Sequence, residues 1–339
     1  MTSTSYPQFA AELRQTIRHQ EDEQSLNEGC RSRFWLQDRK TERVVLFFHG
    51  FTACPEQFDS VGPALYDLGY NVVAPLQPGH GCQGDWGADQ PPPLSDLIEP
   101  YLEFAEHWLR QAQALGEQVI VSGLSSGGTL AAWLAFTHAA EVERAMLYAP
   151  YLGSSPKVLN WAIEAAKPLD HLIYLPWLKA PDTVTQHGYP GFRLSALQIF
   201  LDLGREVLQL AQTQRGAPLL LVSSESDWSA SNSEHQALFE NAVQAQPHSW
   251  YACFDQKLKV PHTMMREVDG NDYEYLLISL TRAYLQSDFT SQELQQLAAE
   301  VKQGRSLEQV LAERGWLKRL TPDLPVVLQQ LSLDPQAQS

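Results

Sequence analysis

Residues 119–136 read VIVSGLSSGGTLAAWLAF. The first third has the apolar pattern of a strand and the last half that of a helix. Between them, Ser125 and Ser126 are bracketed by Gly123, Gly127 and Gly128. This is a strand–turn–helix join, and it fixes how the rest of the chain is read. Short apolar runs recur on both sides of it: VVLFF (44–48), NVVAP (71–75), RAMLY (144–148), PLLLV (218–222) and SWYACF (249–254). Nearly continuous apolar runs of this length suit strands covered on both faces. RFWLQ (33–37) alternates more and is expected at a sheet edge. Helical patterns lie between the runs, at 55–69, 95–116 and 127–140, and a short helix is expected at 8–19. The second of these starts from a Ser/Asp cap candidate and stops at Gly116. Strands alternating with helices predict an α/β fold with a mostly parallel sheet flanked by helices.

The alternation breaks after Tyr148. About seventy residues precede PLLLV, with helical patterns interrupted by prolines. They are read as a helical cap inserted before the late strands. Trp161, Ile173, Tyr174, Leu175, Trp177, Phe192 and Phe200 lie in it, most of them expected to pack internally and a minority to line a cleft. The expected organisation is a first core part over 1–150, the cap over 151–216, a second core part over 217–286 and a helical extension over 287–339. The extension carries patterns for two further helices and is expected either to pack on the core or to mediate assembly.

The chain has 339 residues, 40 acidic and 24 basic, for a formal net charge of −16. That charge repels a phosphate backbone and argues against a nucleic-acid partner. No apolar run is long enough to span a bilayer, so no stable membrane insertion is expected. The first residues lack the basic start and apolar core of a secretory signal. Cys30, Cys54, Cys82 and Cys253 form no CxxC pair, which argues against zinc. Free thiols in a cytoplasmic protein are the simplest reading. A bridge between Cys54 and Cys82, which both follow glycine-containing loops, is the alternative.

Chemistry enters at Gly123-Leu124-Ser125-Ser126-Gly127, which fits the G-x-S-x-G nucleophile elbow. The spacing is weak evidence alone and strong evidence between a buried strand and a helix. A strained turn there holds the Ser125 hydroxyl out into a cleft. The Ser126 N–H, at the helix N-terminus, points to the same place and suits a developing oxyanion. A serine nucleophile needs a base, and the base an orienting acid. His262, in DQKLKVPHTMM, is the only histidine after the last apolar run. Asp227 follows PLLLV in SSESDWSAS, with Glu225 as the competing acid. A second oxyanion donor is expected from HGFT after the first long strand, with Phe51 N–H the natural choice and Gly50 allowing close backbone approach. His49 and, in PLQPGHG, His80 have no cluster of ligands around them, and local hydrogen bonding is the expected role of each.

FFHGFT, PGHG, GLSSGG, SESD and VPH, in that order, resemble the α/β-hydrolase superfamily. The set looks like its carboxylesterase and monoacylglycerol-lipase branch, often grouped with serine aminopeptidase-like hydrolases. The likeness covers roughly residues 33–286. It implies Ser125 as nucleophile, His262 as base, Asp227 as its orienter, and Phe51 and Ser126 as amide donors. It also implies the α/β-hydrolase fold, no metal or organic cofactor, and a small ester substrate with an apolar acyl group. Ser126 departs from the bulkier residue many relatives carry, the cap is longer than in the smallest esterases, and residues beyond 287 fall outside the likeness.

The expected activity is hydrolysis of medium-chain acyl esters or monoacylglycerols through an acyl-enzyme. Amide, peptide or thioester hydrolysis and acyl transfer are alternatives on the same residues. Peptidase action would call for a cap carboxylate, such as Glu164 or Asp170, aimed at Ser125. The remaining alternative is a non-catalytic binding protein with this fold.

Overall fold

The computed structural model describes residues 5–155, 157–177 and 187–333. The chain opens with helix α1 (Tyr6–Asp22), longer than the helix expected at 8–19. Pro7 sits in its first turn and the Gln8 side chain returns to accept from the Ser5 N–H at 3.1 Å. The strands and helices of the first half follow in turn: β1 (Arg33–Trp35), β2 (Thr41–Phe48), α2 (Val61–Tyr66), β3 (Asn71–Ala74), α3 (Glu99–Leu115), β4 (Gly116–Leu124), α4 (Ser126–Thr137) and β5 (Val142–Tyr148). An insertion comprises α5 (Lys157–Ala166), β6 (Tyr174–Pro176), β7 (Gly191–Arg193) and α6 (Leu194–Thr213). The chain then returns through β8 (Leu219–Ser224), α7 (Asn232–Ala245), β9 (Trp250–Phe254) and α8 (Glu274–Gln286). It continues as α9 (Ser291–Lys302), α10 (Leu307–Glu313) and α11 (Leu324–Gln330).

Among the described residues, seven strands form one sheet in the order β1-β3-β2-β4-β5-β8-β9. Only β1, at the edge, runs antiparallel to its neighbour. Side chains alternate between two cores, as the pleat requires. Val44, Leu46 and Phe48 of β2 face the layer built by α1, α3, α4, α6 and α7. Val45 and Phe47 face the layer of α2, α8 and the C-terminal helices. This double cover explains why the central strands read as unbroken apolar runs rather than alternating ones. Helix α4 is buried from Ser126 to Phe136 because the sheet covers one side and α6 the other.

Other expected helix limits differ as well, and the helix expected at 127–140 spans Ser126–Thr137. The stretch 55–69 divides into a 3-10 turn (Pro55–Phe58) and the short α2. Helix α3 starts at Glu99, not at Ser95, because the Ser95 hydroxyl is used locally, accepting from the Leu97 N–H at 3.0 Å. Pro100 then occupies the first turn, where a missing N–H costs nothing. Gly116 passes directly from α3 into β4, with the Val44 side chain 2.6 Å from where a β-carbon would stand.

The insertion is helical, with one addition: β6 and β7 form an antiparallel ribbon pairing Leu175 with Phe192. Helix α6 comes down on the segment after β5 at Gly204, where a β-carbon would meet Leu152 Cα at 2.7 Å. The C-terminal extension packs on the core. Leu294, Leu297, Leu311, Val327 and Leu328 are buried against α8 and the sheet. Ser332 O accepts from the Cys253 N–H at 3.0 Å and covers the outer edge of β9, which would otherwise expose unpaired backbone.

The free-thiol expectation and the Cys54–Cys82 alternative are both corrected. Cys30 and Cys54 form a disulfide, in which Cys82 and Cys253 take no part. The cause is the segment before β1, which runs beside the 80–83 turn: Asn27 N–H donates to Gly81 O at 2.7 Å and Gln83 N–H to Ser25 O at 2.7 Å. That course carries Cys30 to Cys54.

Candidate active site

Ser125 stands between β4 and α4 with φ 56° and ψ −123°, a strained conformation for a residue with a side chain. Hydrogen bonds on both sides hold it. Its N–H donates to Tyr148 O at 3.0 Å, and its carbonyl accepts from the N–H groups of Thr129 (3.0 Å) and Tyr151 (3.1 Å). The flanking glycines are required by contact. A β-carbon on Gly123 would meet Gly127 O at 2.2 Å, and one on Gly127 would meet Phe48 O at 2.1 Å. The Ser125 side chain is partly exposed, whereas Ser126 is buried, with no partner for its hydroxyl among the described residues.

His262 lies beyond β9 on a loop tied to β8 by the Ser224 hydroxyl, which donates to Val260 O at 2.6 Å. Its Nε2 is 2.9 Å from Ser125 Oγ, and its Nδ1 is 2.7 Å from Asp227 Oδ2. The hydrogen therefore sits on Nδ1, donated to the carboxylate, and Nε2 accepts from the serine hydroxyl. Asp227 Oδ1 accepts from the N–H groups of Ser229 (2.7 Å) and Ala230 (3.2 Å). Burial alone would raise the Asp227 carboxyl. His262 and the two amides outweigh it and hold the carboxyl below its usual value. Burial opposes charge on His262, but Asp227 more than compensates and raises the imidazole above its ordinary 6.5. Glu225 is directed elsewhere, with its Oε2 accepting from the Gln256 N–H at 2.9 Å.

Phe51 and Ser126 lie on two backbones in contact, since Gly127 also comes within 2.4 Å (β-carbon to oxygen) of His49 O. Ser126 is the first residue of α4, so its N–H has no acceptor within the helix. The Phe51 ring is buried, with the Phe192 ring at 5.0 Å and the Phe200 ring at 5.7 Å. The loop carrying it is braced by buried neutral histidines. His49 Nε2 accepts from Gln77 N–H at 3.0 Å, so Nδ1 carries the hydrogen and donates to Gly50 O at 3.0 Å. His80 Nε2 accepts from Thr52 N–H at 3.1 Å and its Nδ1–H donates to Pro78 O at 3.0 Å. Burial pushes His49 well below its ordinary value and His80 to about 4.

Several supports had no sequence signal. Gln57 Oε1 accepts from the Gly50 N–H at 2.8 Å. His235 on α7 donates from Nε2 to Pro150 O at 2.7 Å and accepts the Ser223 hydroxyl at Nδ1, 2.8 Å away. It thereby fixes the segment that receives the Ser125 N–H. Such residues are named only by partners far along the chain. Within the insertion, Phe192 and Phe200 are buried, while Trp161, Leu175 and Trp177 are exposed. Glu164 is engaged by Arg205 at 2.6 Å, and Asp170 has His171 at 3.9 Å.

A serine, a histidine and an aspartate joined on this sheet define an α/β-hydrolase. The family model described as Hydrolase_4, serine aminopeptidase S33, matches residues 39–258, and the chain belongs to that family. The match includes Ser125 and Asp227 and stops short of His262. No curated protein matches the chain in sequence. Solved structures do match in fold. One, from work on the metagenome-derived lipolytic enzymes LipS and LipT, is 19% identical with a TM-score of 0.61, over 76% of this chain and 98% of that one. The monoacylglycerol lipase of Paleococcus ferrophilus is 17% identical with a TM-score of 0.59, over 75% of this chain and 98% of that one. A soluble variant of Saccharomyces cerevisiae monoglyceride lipase, bound to a substrate analogue, is 16% identical with a TM-score of 0.56, over 73% of this chain and 90% of that one.

Proposed function

We propose that the protein hydrolyses carboxylic esters of apolar acids, medium-chain acyl esters or monoacylglycerols, through an acyl-enzyme on Ser125. The observation that carries this reading is the continuous hydrogen-bonded line from Asp227 through His262 to Ser125 Oγ, with links of 2.7 and 2.9 Å. His262 Nε2 takes the hydroxyl proton as Oγ bonds to the ester carbonyl carbon. The carbonyl oxygen becomes an oxyanion and is received by the N–H groups of Phe51 and Ser126. As the carbon–oxygen bond to the alcohol breaks, His262 returns the proton to the departing oxygen. Water, deprotonated by the same imidazole, then releases the acid and restores Ser125. Asp227 holds the imidazole in its Nδ1–H tautomer and balances its charge while it is protonated.

Two observations favour an apolar ester over a peptide. Apolar side chains remain exposed on the insertion, Trp161 at 75% and Leu172 at 72%, and Trp228 beside Asp227 is 83% exposed. Exposed apolar side chains of this size are expected where an apolar ligand is taken up. Glu164, a candidate anchor for a peptide amine, is already neutralised by Arg205 and Lys167. Among the described residues no helix is long and apolar enough to cross a membrane.

The test is a hydrolysis panel of p-nitrophenyl esters of graded acyl length, monoacylglycerols, thioesters and aminoacyl amides, run with the natural protein and Ser125→Ala. Turnover of esters above amides, abolished in Ser125→Ala, supports the reading. Preference for aminoacyl amides, or activity surviving in Ser125→Ala, overturns it.

A further inference from the structure

Thr52, the residue after Phe51, has φ 62°, a left-handed conformation that a β-branched residue rarely adopts. It is held there from three directions. Its N–H donates to His80 Nε2 at 3.1 Å, its carbonyl accepts from the Tyr189 N–H at 2.9 Å, and its hydroxyl accepts from the Trp177 indole N–H at 2.9 Å. Two of these partners belong to the insertion. Trp177 immediately follows β6, and Tyr189 comes two residues before β7. The Trp177 ring also packs at 4.8 Å on Phe192, whose own ring lies at 5.0 Å from Phe51. Tyr189 is anchored in turn to the core, its hydroxyl donating to Gly79 O at 2.7 Å.

We propose that the Trp177–Thr52 hydrogen bond is a latch through which the insertion sets the position of the Phe51 N–H. Trp177 and Thr52 are positioning residues for oxyanion stabilisation. The inference rests on the reading of Phe51 N–H as an oxyanion donor. A backbone donor has no side chain of its own to orient it, and its direction follows from the dihedral angles of its neighbours. At Thr52 those angles are unfavourable unless outside bonds maintain them. The insertion provides two of those bonds, and since Tyr189 is itself tied to Gly79 O, the Trp177 bond is the one that depends on how the insertion is seated. The donor is then properly aimed only when the insertion is seated. This couples closure over the substrate to completion of the oxyanion site, although neither Trp177 nor Thr52 touches the reacting atoms.

The experiment measures kcat and KM for p-nitrophenyl butyrate with Trp177→Phe, Thr52→Val, the double variant and Thr52→Ser, with Ser125→Ala in parallel. Trp177→Phe keeps the ring and removes the donor; Thr52→Val keeps the shape and removes the acceptor. Each should lower kcat about tenfold, a fraction of the loss on deleting an oxyanion donor. KM should stay within about twofold, since the contact acts on the transition state. The double variant should fall no further than either single one, and Thr52→Ser, which keeps the acceptor, should retain most of kcat. Affinity for a trifluoromethyl ketone, whose adduct places an oxyanion at the same point, should fall in parallel with kcat. An unchanged kcat in Trp177→Phe overturns the latch. So do losses that multiply in the double variant, or a change confined to KM. Activity surviving in Ser125→Ala would instead overturn the hydrolase reading itself, whatever the latch variants do.

Discussion

Gly127 lies so close to Phe48 that a β-carbon on the glycine would meet the Phe48 carbonyl oxygen at 2.1 Å. The end of β2 and the start of α4 therefore touch backbone to backbone, which is what places the loop of Phe51 beside Ser125. Gly127→Ala must separate them, because the opposing atoms are main chain and have no rotamer with which to retreat. The expected loss is about 2–3 kcal/mol of stability in urea denaturation. Turnover should fall by about a hundredfold or more. Gly87→Ala, where no heavy atom lies within 4 Å of the added carbon, should leave both unchanged and serves as the control.

Asp227 and Glu225 are two residues apart and chemically alike, yet only Asp227 reaches His262. Asp227→Asn presents an amide donor to Nδ1 and favours the wrong tautomer. In analogous triads that change lowers kcat about ten-thousand-fold. Glu225→Gln leaves an acceptor for the Gln256 N–H and should change kcat less than about threefold. Steady-state kinetics of the two variants decides between the carboxylates, and the reverse ranking would place the acid on Glu225.

The acid limb of the pH profile follows from His262. The base must be neutral to accept the Ser125 proton, so activity rises as pH passes upward through its pKa. Asp227 raises that pKa against the effect of burial, so the inflection in kcat/KM should lie above 6.5. A profile measured with a small ester from pH 5 to 9 checks this. An inflection at or below the ordinary histidine value would mean that the Asp227 carboxylate does not reach the imidazole in solution.

Ser125, Asp227 and His262 could be singled out in the sequence because each lies in the turn or loop that follows a recognisable strand, although Glu225 precedes Asp227 in the same loop. The sheet is legible because strands covered on both faces leave short apolar runs bounded by turn residues, whereas the buried helix α4 carries a longer one. The β6–β7 ribbon is not. Its strands have three residues each, too few for a period, and one contains Pro176. The Cys30–Cys54 pairing is hidden because Cys30 reaches Cys54 through the path of an irregular segment, which no pattern encodes. Trp177, Tyr189 and His235 are hidden differently. Their roles are defined by partners 85 to 137 residues away, as with His235 and Pro150 or Tyr189 and Thr52. A reading of spacing sees only an aromatic or a helical histidine. The C-terminal segment shows helical periodicity, but its pairing of Ser332 with the edge of β9 is a tertiary contact with no local precursor.

His235 makes the acid stability of the fold measurable. It is buried and neutral, with burial holding its pKa at about 4, and His80 is held at about 4 for the same reason. In the unfolded chain both imidazoles return to an ordinary value near 6.5 and take up protons that the folded state refuses. Stability contributed by these groups is thus complete above that value and falls as pH drops below it. Between pH 7 and pH 5 the loss is about 2 kcal/mol for each. His262 acts in the opposite direction, since its raised pKa adds stability at low pH that disappears as pH rises through the folded value. The net expectation is a decline on acidification, set by three depressed imidazoles, those of His49, His80 and His235, against the one raised imidazole of His262. His235→Gln should start less stable at pH 7, having lost the bond to Pro150 O, and should then decline less steeply than the natural protein. Urea midpoints at pH 7, 6 and 5 provide the slope. Parallel slopes for the two proteins would show that His235 is protonated in the folded state, contrary to its enclosed position between Ser223 and Pro150.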